Sequence, residues 1–138
     1  AHNPQKVEAL CSWYTREHPH THPIVTAGFL AAKDARGMLH SLASIASILI
    51  LTEPRIPDKA PVSVDHLAEI AQELGFTGPI HIESDPAAAV AVAVELARRT
   101  SEPLLVTGSL YLIGNVRGRW YPDDAVLLQR TPWPHRIG

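Results

Sequence analysis

Residues 48–51 read Ile-Leu-Ile-Leu, and a polar, proline-containing stretch follows them at 52–61. Four consecutive large apolar residues bounded by a turn are typical of a strand that is covered on both faces, as in a parallel sheet flanked by helices. Apolar residues recur at helical spacing on each side of this run, at 34–46 and at 63–75. The pattern therefore predicts alternating helices and strands around a buried sheet.

The same alternation extends to both ends of the chain. Further helices are predicted from Pro4 to the His18-Pro19 step, at 86–100 and, as a short element, at 109–118, and further strands at 24–28, 79–83 and 104–107. The sequence predicts an α/β fold: a three-layer αβα domain with a mainly parallel sheet. We expect one domain over 1–138, with an irregular tail at 119–138 that packs along the surface.

Composition excludes several classes of protein. The chain has 138 residues, of which 46% are hydrophobic, enough for one domain with a real core. With 12 Lys and Arg against 14 Asp and Glu, it lacks the basic excess expected of a protein that binds nucleic acid or an anionic membrane. No run approaches the roughly 20 apolar residues of a membrane helix. A single cysteine and no visible signal peptide lead us to expect a cytoplasmic protein.

Three segments stand where open parallel sheets bind ligands, at strand ends and the helix starts beside them. They are Ala-His-Asn-Pro at 1–4, Lys33 ahead of the second helix, and Thr-Gly-Ser at 107–109. The amides of a helix start, assisted by His2, suit an anion. Lys33 supplies a point charge, and the hydroxyls and glycine at 107–109 could hold a carboxylate.

Each of these segments also has a purely structural interpretation. Asn3 can simply cap the first helix, Lys33 can be a solvated lysine beside a capping aspartate, and Ser109 can cap the turn after the last strand. The residues alone leave both interpretations open.

Two other features carry less weight. His18, His20 and His22 alternate as in a metal-binding tract, but no Cys or carboxylate clusters with them, so a polar loop is the better interpretation. Cys11 falls on the apolar face of the first helix without an evident base, which favours packing over nucleophilic chemistry.

Taken together, three blocks resemble a known family. Ala-His-Asn-Pro at 1–4, Ala-Ala-Lys-Asp-Ala-Arg-Gly-Met-Leu at 31–39 and Leu-Val-Thr-Gly-Ser-Leu-Tyr-Leu-Ile-Gly-Asn-Val-Arg at 105–117 resemble the C-terminal domain of folylpolyglutamate synthase/dihydrofolate synthase, a branch of the Mur ligase superfamily. Pro54-Arg55 fits the same pattern more weakly. The resemblance runs through most of the chain, and its most specific element is Thr-Gly-Ser-Leu-Tyr.

The resemblance implies a Rossmann-like αβα domain and an ATP-dependent ligase. In that family a substrate carboxylate is phosphorylated, and the amine of L-glutamate attacks the acyl phosphate on dihydropteroate or on a folylpolyglutamate. The resemblance places His2 and Asn3 in the phosphate and amino-acid region, and it implies that Lys33, Ser109 and Asn3 bind glutamate. ATP and Mg²⁺ would be held mainly by an N-terminal ATPase domain that this sequence lacks, and no residue here is expected to bind a metal or to be catalytic by itself.

The sequence departs from the family pattern at several positions, and these departures affect what we expect of the chain by itself. The chain begins directly after the glycine of the usual Asp-Gly-Ala-His-Asn-Pro, has Ala32 where the family has Asp, and contains neither GxxxxGK[ST] nor GxGxxG. We therefore expect an isolated domain that is inactive alone, binds no cofactor alone and is a monomer. The alternatives are the C-terminal domain of a peptidoglycan Mur ligase and a free-standing α/β module that binds a small ligand.

Overall fold

The computed structural model describes residues 3–31, 34–108 and 126–128. These residues form helices and strands in alternation, close to the predicted bounds. In chain order the elements are α1 (Pro4–Glu17), β1 (Ile24–Gly28), α2 (Ala35–Ile45), β2 (Ile48–Leu51), α3 (Val64–Glu73), β3 (Ile80–Ile82), α4 (Pro86–Thr100), β4 (Leu104–Gly108) and β5 (Val126–Leu128).

The strands form one sheet in the order β3-β2-β1-β4-β5. Every pairing between neighbouring strands of the described sheet is parallel. The central pair is β1 with β4, which run in register from Ile24 beside Leu104 to Gly28 beside Gly108. The predicted parallel sheet is confirmed, and its two central strands end in paired glycines.

Helices cover both faces of the sheet. On one face α1, α2 and α3 bury a core that includes Val25, Leu49 and Leu105. On the other face α4 buries a smaller core with Ile24 and Ile50. Because successive side chains of a strand point to opposite faces, strands with a helix layer on each side must be apolar throughout, as the run at 48–51 is. The predicted three-layer architecture is confirmed.

Local chemistry explains where the helices begin. Each of the four has a capping residue whose side-chain oxygen accepts a hydrogen bond from a backbone N–H in the first turn, and α1 and α4 also begin with proline. These bonds satisfy amides that have no partner inside a helix. The caps and their distances are Asn3 to Lys6 (2.8 Å), Asp34 to Gly37 (2.9 Å), Ser63 to His66 (3.2 Å) and Asp85 to Ala88 (2.9 Å).

The prediction of an irregular tail is wrong at one point. Val126–Leu128 forms β5, which pairs in parallel with β4 from Leu104 beside Val126 to Val106 beside Leu128. Three apolar residues make a weak sequence signal, and here the exposed backbone of β4 supplies the partner that makes them a strand. The predicted short helix at 109–118 lies outside the described residues. Among the described residues, no helix combines the length and apolar character that crossing a membrane requires.

Candidate functional site at the carboxyl edge of the sheet

The carboxyl edge of the sheet is the side where β1 to β4 end and where α2, α3 and α4 begin. Helix α1 precedes β1, and its first turn lies at the same edge because α1 runs parallel to α2. The loop that leaves α1 meets the end of α2, where His22 Nδ1 is 3.1 Å from the Ile45 carbonyl oxygen and the Ser47 N–H donates to the Pro23 carbonyl at 2.8 Å. All four described helices thus begin at the carboxyl edge.

The chain changes direction across the sheet between β1 and β4. After β1 it passes through α2 and α3 on one face to β2 and β3, and it returns through α4 on the other face to β4. In open α/β sheets the loops diverge at this switch point and leave a crevice that binds ligands. Here the switch point lies beyond Gly28 and Gly108, the paired glycines that end the two strands.

Two of the predicted site residues follow these strands in the sequence. Ser109 directly follows Gly108, and Lys33 comes later after β1, directly before Asp34, the cap of α2. Their described neighbours, Gly108 and Asp34, lie at the carboxyl edge of the sheet. Lys33, Ser109 and His2 themselves lie outside the described residues, so their roles stay predictions.

Asn3 is described, and it caps α1. Its backbone is extended, and its Oδ1 accepts from the Lys6 N–H at 2.8 Å. The structural interpretation of Asn3 is therefore confirmed, while its predicted contact with a ligand stays a prediction. The cap uses the side-chain oxygen, and a carboxamide has two further donors on its nitrogen.

The four helix starts differ in charge. A helix N-terminus carries roughly half a positive charge, which a nearby carboxylate offsets. Asp34 and Asp85 supply that carboxylate to α2 and α4, and α3 has Asp65 in its first turn. In α1 the cap is the neutral Asn3, and the first turn contains no acidic residue. Of the described helix starts, α1 therefore offers an anion the most favourable field.

Glu53 adds a second carboxylate at the start of α3. Its Oε2 accepts from the backbone N–H of Val64 at 3.0 Å, so a carboxylate occupies the start of that helix from outside. Glu53 is not among the site residues predicted from the sequence. An acidic residue two positions after the end of a buried strand, ahead of a capped helix, is the signal that could have found it.

The loop at 52–63 crosses the carboxyl edge and holds it in shape. Backbone bonds pair it with the exit of β1: the Ala31 N–H donates to the Ala60 carbonyl at 2.9 Å, and the Val62 N–H donates to the Phe29 carbonyl at 2.8 Å. Arg55 reaches the start of α4, where its Nε is 3.7 Å from Asp85 Oδ1. The loop thereby connects β1, β2, α3 and α4 at the edge where a ligand would bind.

Three threonines in the described strands and loops are fully buried, and they differ in their bonding. Thr52 donates to the Ser84 carbonyl at 3.2 Å. Thr26 Oγ1 and Thr107 Oγ1 have no hydrogen-bond partner among the described residues. An unsatisfied buried hydroxyl costs about 1–3 kcal/mol.

The histidine tract and Cys11 lie away from this edge. His18 ends α1 and stacks on Tyr14 with ring centroids 4.7 Å apart, while His22 faces the end of α2, so the predicted polar loop is confirmed. Among residues 3–31, 34–108 and 126–128, no three potential metal ligands lie together. Cys11 packs in the core, where burial and, to a smaller extent, Glu8 raise the pKa of its thiol from 9.0 to about 12. The thiol is thus protonated at neutral pH, as expected of a packing residue.

Burial also raises the pKa of Tyr14, although the hydroxyl lies 2.8 Å from Thr21 Oγ1, a bond that acts in the opposite direction. This tyrosine closes the core beneath the loop at 18–23. It belongs to the framework of the fold and lies far along α1 from the capped end.

Comparison with known proteins identifies the family. The family model for the Mur ligase glutamate ligase domain matches residues 1–110. A search of curated protein sequences finds no match.

Solved structures share the fold. Folylpolyglutamate synthase of Mycobacterium tuberculosis, solved with ADP and AMPPCP, superposes with a TM-score of 0.76 at 24% identity over 90% of this chain. The folylpolyglutamate synthase of Thermotoga maritima gives 0.61 at 24% identity over 86%. E. coli FolC in complex with DHPP and ADP gives 0.67 at 21% identity over 86%. This chain spans only 29%, 25% and 27% of those three proteins, respectively.

Proposed function

The chain belongs to the Mur ligase glutamate ligase domain family, and on this premise we propose that it is the amino-acid-binding domain of an ATP-dependent ligase. The ligase adds L-glutamate to dihydropteroate, to a folylpolyglutamate, or to both, through an acyl phosphate. One observation of this chain supports the assignment of the site: the start of α1, which has no carboxylate, lies at the carboxyl edge of the sheet, and α1 shares a core with Ala27 of β1 and Leu105 of β4.

The chemistry divides between this domain and the missing one. ATP supplies the phosphoryl group that activates the substrate carboxylate. The glutamate nitrogen then forms a bond to the acyl carbon, the bond from that carbon to the phosphate oxygen breaks, inorganic phosphate leaves, and the nitrogen loses a proton. For this attack the acceptor must be held by its carboxylates while its amine stays neutral and unobstructed.

Residues of this chain are suited to hold those carboxylates. Lys33 supplies a point charge, and Ser109 supplies a directional hydrogen bond from the neighbouring strand end. We assign contacts with the phosphate and the amino acid to Asn3, the cap of α1, and to His2, which precedes it in the sequence. The sequence contains no GxxxxGK[ST] phosphate loop, so the proposal assigns Mg²⁺ and the main nucleotide site to an N-terminal ATPase domain, with this domain completing the site by closure.

The proposal has consequences for the isolated chain. Without the ATPase domain it should neither hydrolyse ATP nor form an amide bond. We place the whole protein in the cytoplasm as a monomer. The names of the solved structures that share the fold favour a folate acceptor over a muramyl one.

Ser109→Ala in the full-length protein tests the assignment. We expect the KM for glutamate to rise about tenfold or more, the loss expected for one hydrogen bond to a charged group, with a smaller change in the KM for ATP. The measurement is ADP release at varied glutamate and at varied ATP, with dihydropteroate and with a folate as acceptors.

Ser44→Ala is the matched control, because Ser44 is an exposed serine of α2 whose hydroxyl bonds only to the Ser41 carbonyl at 2.6 Å among the bonds described. It should leave both constants unchanged. Equal changes in both constants for Ser109→Ala, or no change, would remove Ser109 from the glutamate site. Turnover with a muramyl acceptor and not with a folate would instead establish the peptidoglycan alternative.

A further inference from the structure

Helix α4 is apolar around its whole circumference over its first nine residues. Residues 86–94 read Pro-Ala-Ala-Ala-Val-Ala-Val-Ala-Val, without one polar side chain. The sheet buries one side of this stretch, which includes Ala89, Val90 and Ala93. Because a helix that is apolar all round is normally covered on more than one side, a second element is expected to pack against α4.

The described helices cover the two faces of the sheet unequally. Helices α1, α2 and α3 pack on one face, whereas α4 is the one described helix on the other. A helix is about 10 Å wide and neighbouring strands lie about 4.8 Å apart, so a single helix covers roughly two of the five strands. On the face of α4, Leu104 and Val106 of β4 are nevertheless fully buried, and β5 extends the sheet beyond them.

The connection from β4 to β5 must run back across the sheet. The two strands are parallel, so residues 109–125 return from the carboxyl edge to the amino edge. The step from β1 to β2 uses α2 on one face, and the step from β3 to β4, in the opposite direction, uses α4 on the other face. These two crossovers therefore have the same hand, and nearly all such connections are right-handed. The step from β4 to β5 has the direction of the step from β3 to β4, so the same hand requires the face of α4.

The length and composition of residues 109–125 fit this route. A connection between parallel strands takes a dozen residues or more, and 17 residues separate Gly108 from Val126. Seven of the 17 are large apolar or aromatic residues, namely Leu110, Tyr111, Leu112, Ile113, Val116, Trp120 and Tyr121. Such a segment matches the apolar side of α4 in chemical character.

Helix geometry indicates which flank of α4 it meets. Successive residues advance by about 100° around the axis, so Val94 and Leu96 lie on opposite sides of Ala93, which faces the sheet. Since α4 runs against the strands in a right-handed crossover, the flank of Val94 lies on the side of β4 and β5, and that of Leu96 on the side of β2 and β3. Both side chains are half-buried at the margin of the same core. Ala87 lies two turns before Val94 on the same flank.

We propose that residues 109–125 dock on the flank of α4 that contains Ala87 and Val94, and that they cover β4 and β5 together with α4. The inference goes beyond the proposed function and is independent of it, because it uses only strand order, strand direction, chain length and composition. It makes this flank an interface within the domain, which neither an ATPase domain nor a second copy of the chain can occupy.

Photo-cross-linking tests the docking directly. The photoreactive amino acid benzoylphenylalanine replaces Val94 or, as the matched control, Leu96 in the full-length protein, and the cross-linked peptides are identified by mass spectrometry. Position 94 should cross-link to a peptide from 109–125, and this product should be lost when the probe is at position 96. Equal yields from the two positions, or a cross-link from position 94 that joins two chains, would overturn the inference.

Reciprocal probes keep the inference testable if the bulky group at position 94 prevents folding. Placed one at a time at positions 110–113, which span a full helical turn, at least one of them should cross-link to a peptide of α4. Cross-links to α1, α2 or α3 would instead put the connection on the opposite face. That result, or the absence of any cross-link between 109–125 and α4 with both sets of probes, would overturn the inference whether or not the protein has ligase activity.

Discussion

The two edges of the sheet are closed by different proportions of backbone and side-chain bonds. At the amino edge, prolines directly precede β1, β3 and β4, and their carbonyls accept from the backbone of an adjacent strand or its entry: Pro23 from Ser47 at 2.8 Å, Pro79 from Leu49 at 3.0 Å and Pro103 from Ile24 at 2.9 Å. At the carboxyl edge, side chains do much of this work through the helix caps, Glu53 and Arg55.

This difference in bonding indicates which edge of the sheet is better suited to hold binding residues. Backbone hydrogen bonds at the edge extend the parallel pairing of the strands by one bond for each strand, and they depend little on which side chains are present. Side-chain hydrogen bonds at the edge place charges and donors at positions that can be substituted without breaking the pairing of the strands. Loops at the carboxyl edge can therefore carry binding residues on a rigid frame, which is the division of roles common in α/β proteins.

Substituting one glycine at each edge should give the largest effects and sharpen the comparison. A Cβ at Gly28 would lie 2.6 Å from the Thr52 carbonyl oxygen, and one at Gly78 would lie 2.6 Å from the Ser47 carbonyl oxygen and 2.7 Å from Phe76 Cζ. Gly28→Ala and Gly78→Ala should each destabilise the protein by about 1–3 kcal/mol, because the backbone must shift.

Activity should separate the two glycine variants. Gly28→Ala also displaces the strand end at the switch point and should raise the KM for glutamate, whereas Gly78→Ala should leave it unchanged. Urea denaturation gives the stabilities, and steady-state kinetics of the full-length protein give the constants. Gly75→Ala is a control for backbone conformation alone, since its φ of +88° disfavours alanine although no atom lies within 4 Å of the new Cβ. A change in the KM for Gly78→Ala as large as that for Gly28→Ala would contradict the division of roles.

A smaller effect is expected at the cap of α4. Asp85 Oδ2 accepts from the Ala88 N–H at 2.9 Å, and its Oδ1 lies 3.7 Å from Arg55 Nε. Asp85→Ala should destabilise the protein by about 1 kcal/mol, the usual cost of a lost cap. Asp85→Asn keeps the capping oxygen but removes the charge that interacts with Arg55 and with the helix N-terminus, so its cost should stay below about 1 kcal/mol. Thermal unfolding compares the two, and equal losses would show that the charge of Asp85, not its capping hydrogen bond, stabilises this edge.

The smallest effect is expected from a side chain at the amino edge. The Ser47 hydroxyl donates to Glu102 Oε1 at 3.1 Å, while the Ser47 N–H separately holds the Pro23 carbonyl. Glu102→Gln retains an accepting oxygen, so the stability should change by no more than about 0.5 kcal/mol. A larger loss in urea denaturation would mean that side chains contribute to closure at both edges.

Much of the fold could be predicted because its determinants are local. Asn3 with Pro4 and Asp85 with Pro86 mark helix starts that the structure confirms, and Gly75 stops α3 with a positive φ. The strand Val126–Leu128 could not be predicted in the same way, because it depends on an open edge of β4 that is distant along the chain. Short apolar runs become strands only where a partner is available.

The candidate site likewise combines features that could be predicted from the sequence with features that depend on the tertiary structure. Sequence motifs indicated the start of α1, Lys33 and Ser109 as candidates, and the fold places the described residues Asn3, Asp34 and Gly108 at the carboxyl edge of the sheet. The ordering of strands placed β4 beside β1, and packing left the Thr107 hydroxyl buried without a described partner. Neither fact follows from residue spacing, since both depend on contacts between residues roughly 80 positions apart or more.

The sequence by itself determined the alternation of helices and strands, the burial of the sheet and the positions of the caps. These depend on periodicity, proline geometry and side-chain hydrogen bonds within a few residues. Only the tertiary structure decided that the one described helix start without a carboxylate lies at the carboxyl edge of the sheet, and that β5 pairs with β4. The order of the strands, and the positions of charged residues relative to the strand ends, depend on how the whole chain packs, and no local sequence pattern specifies them.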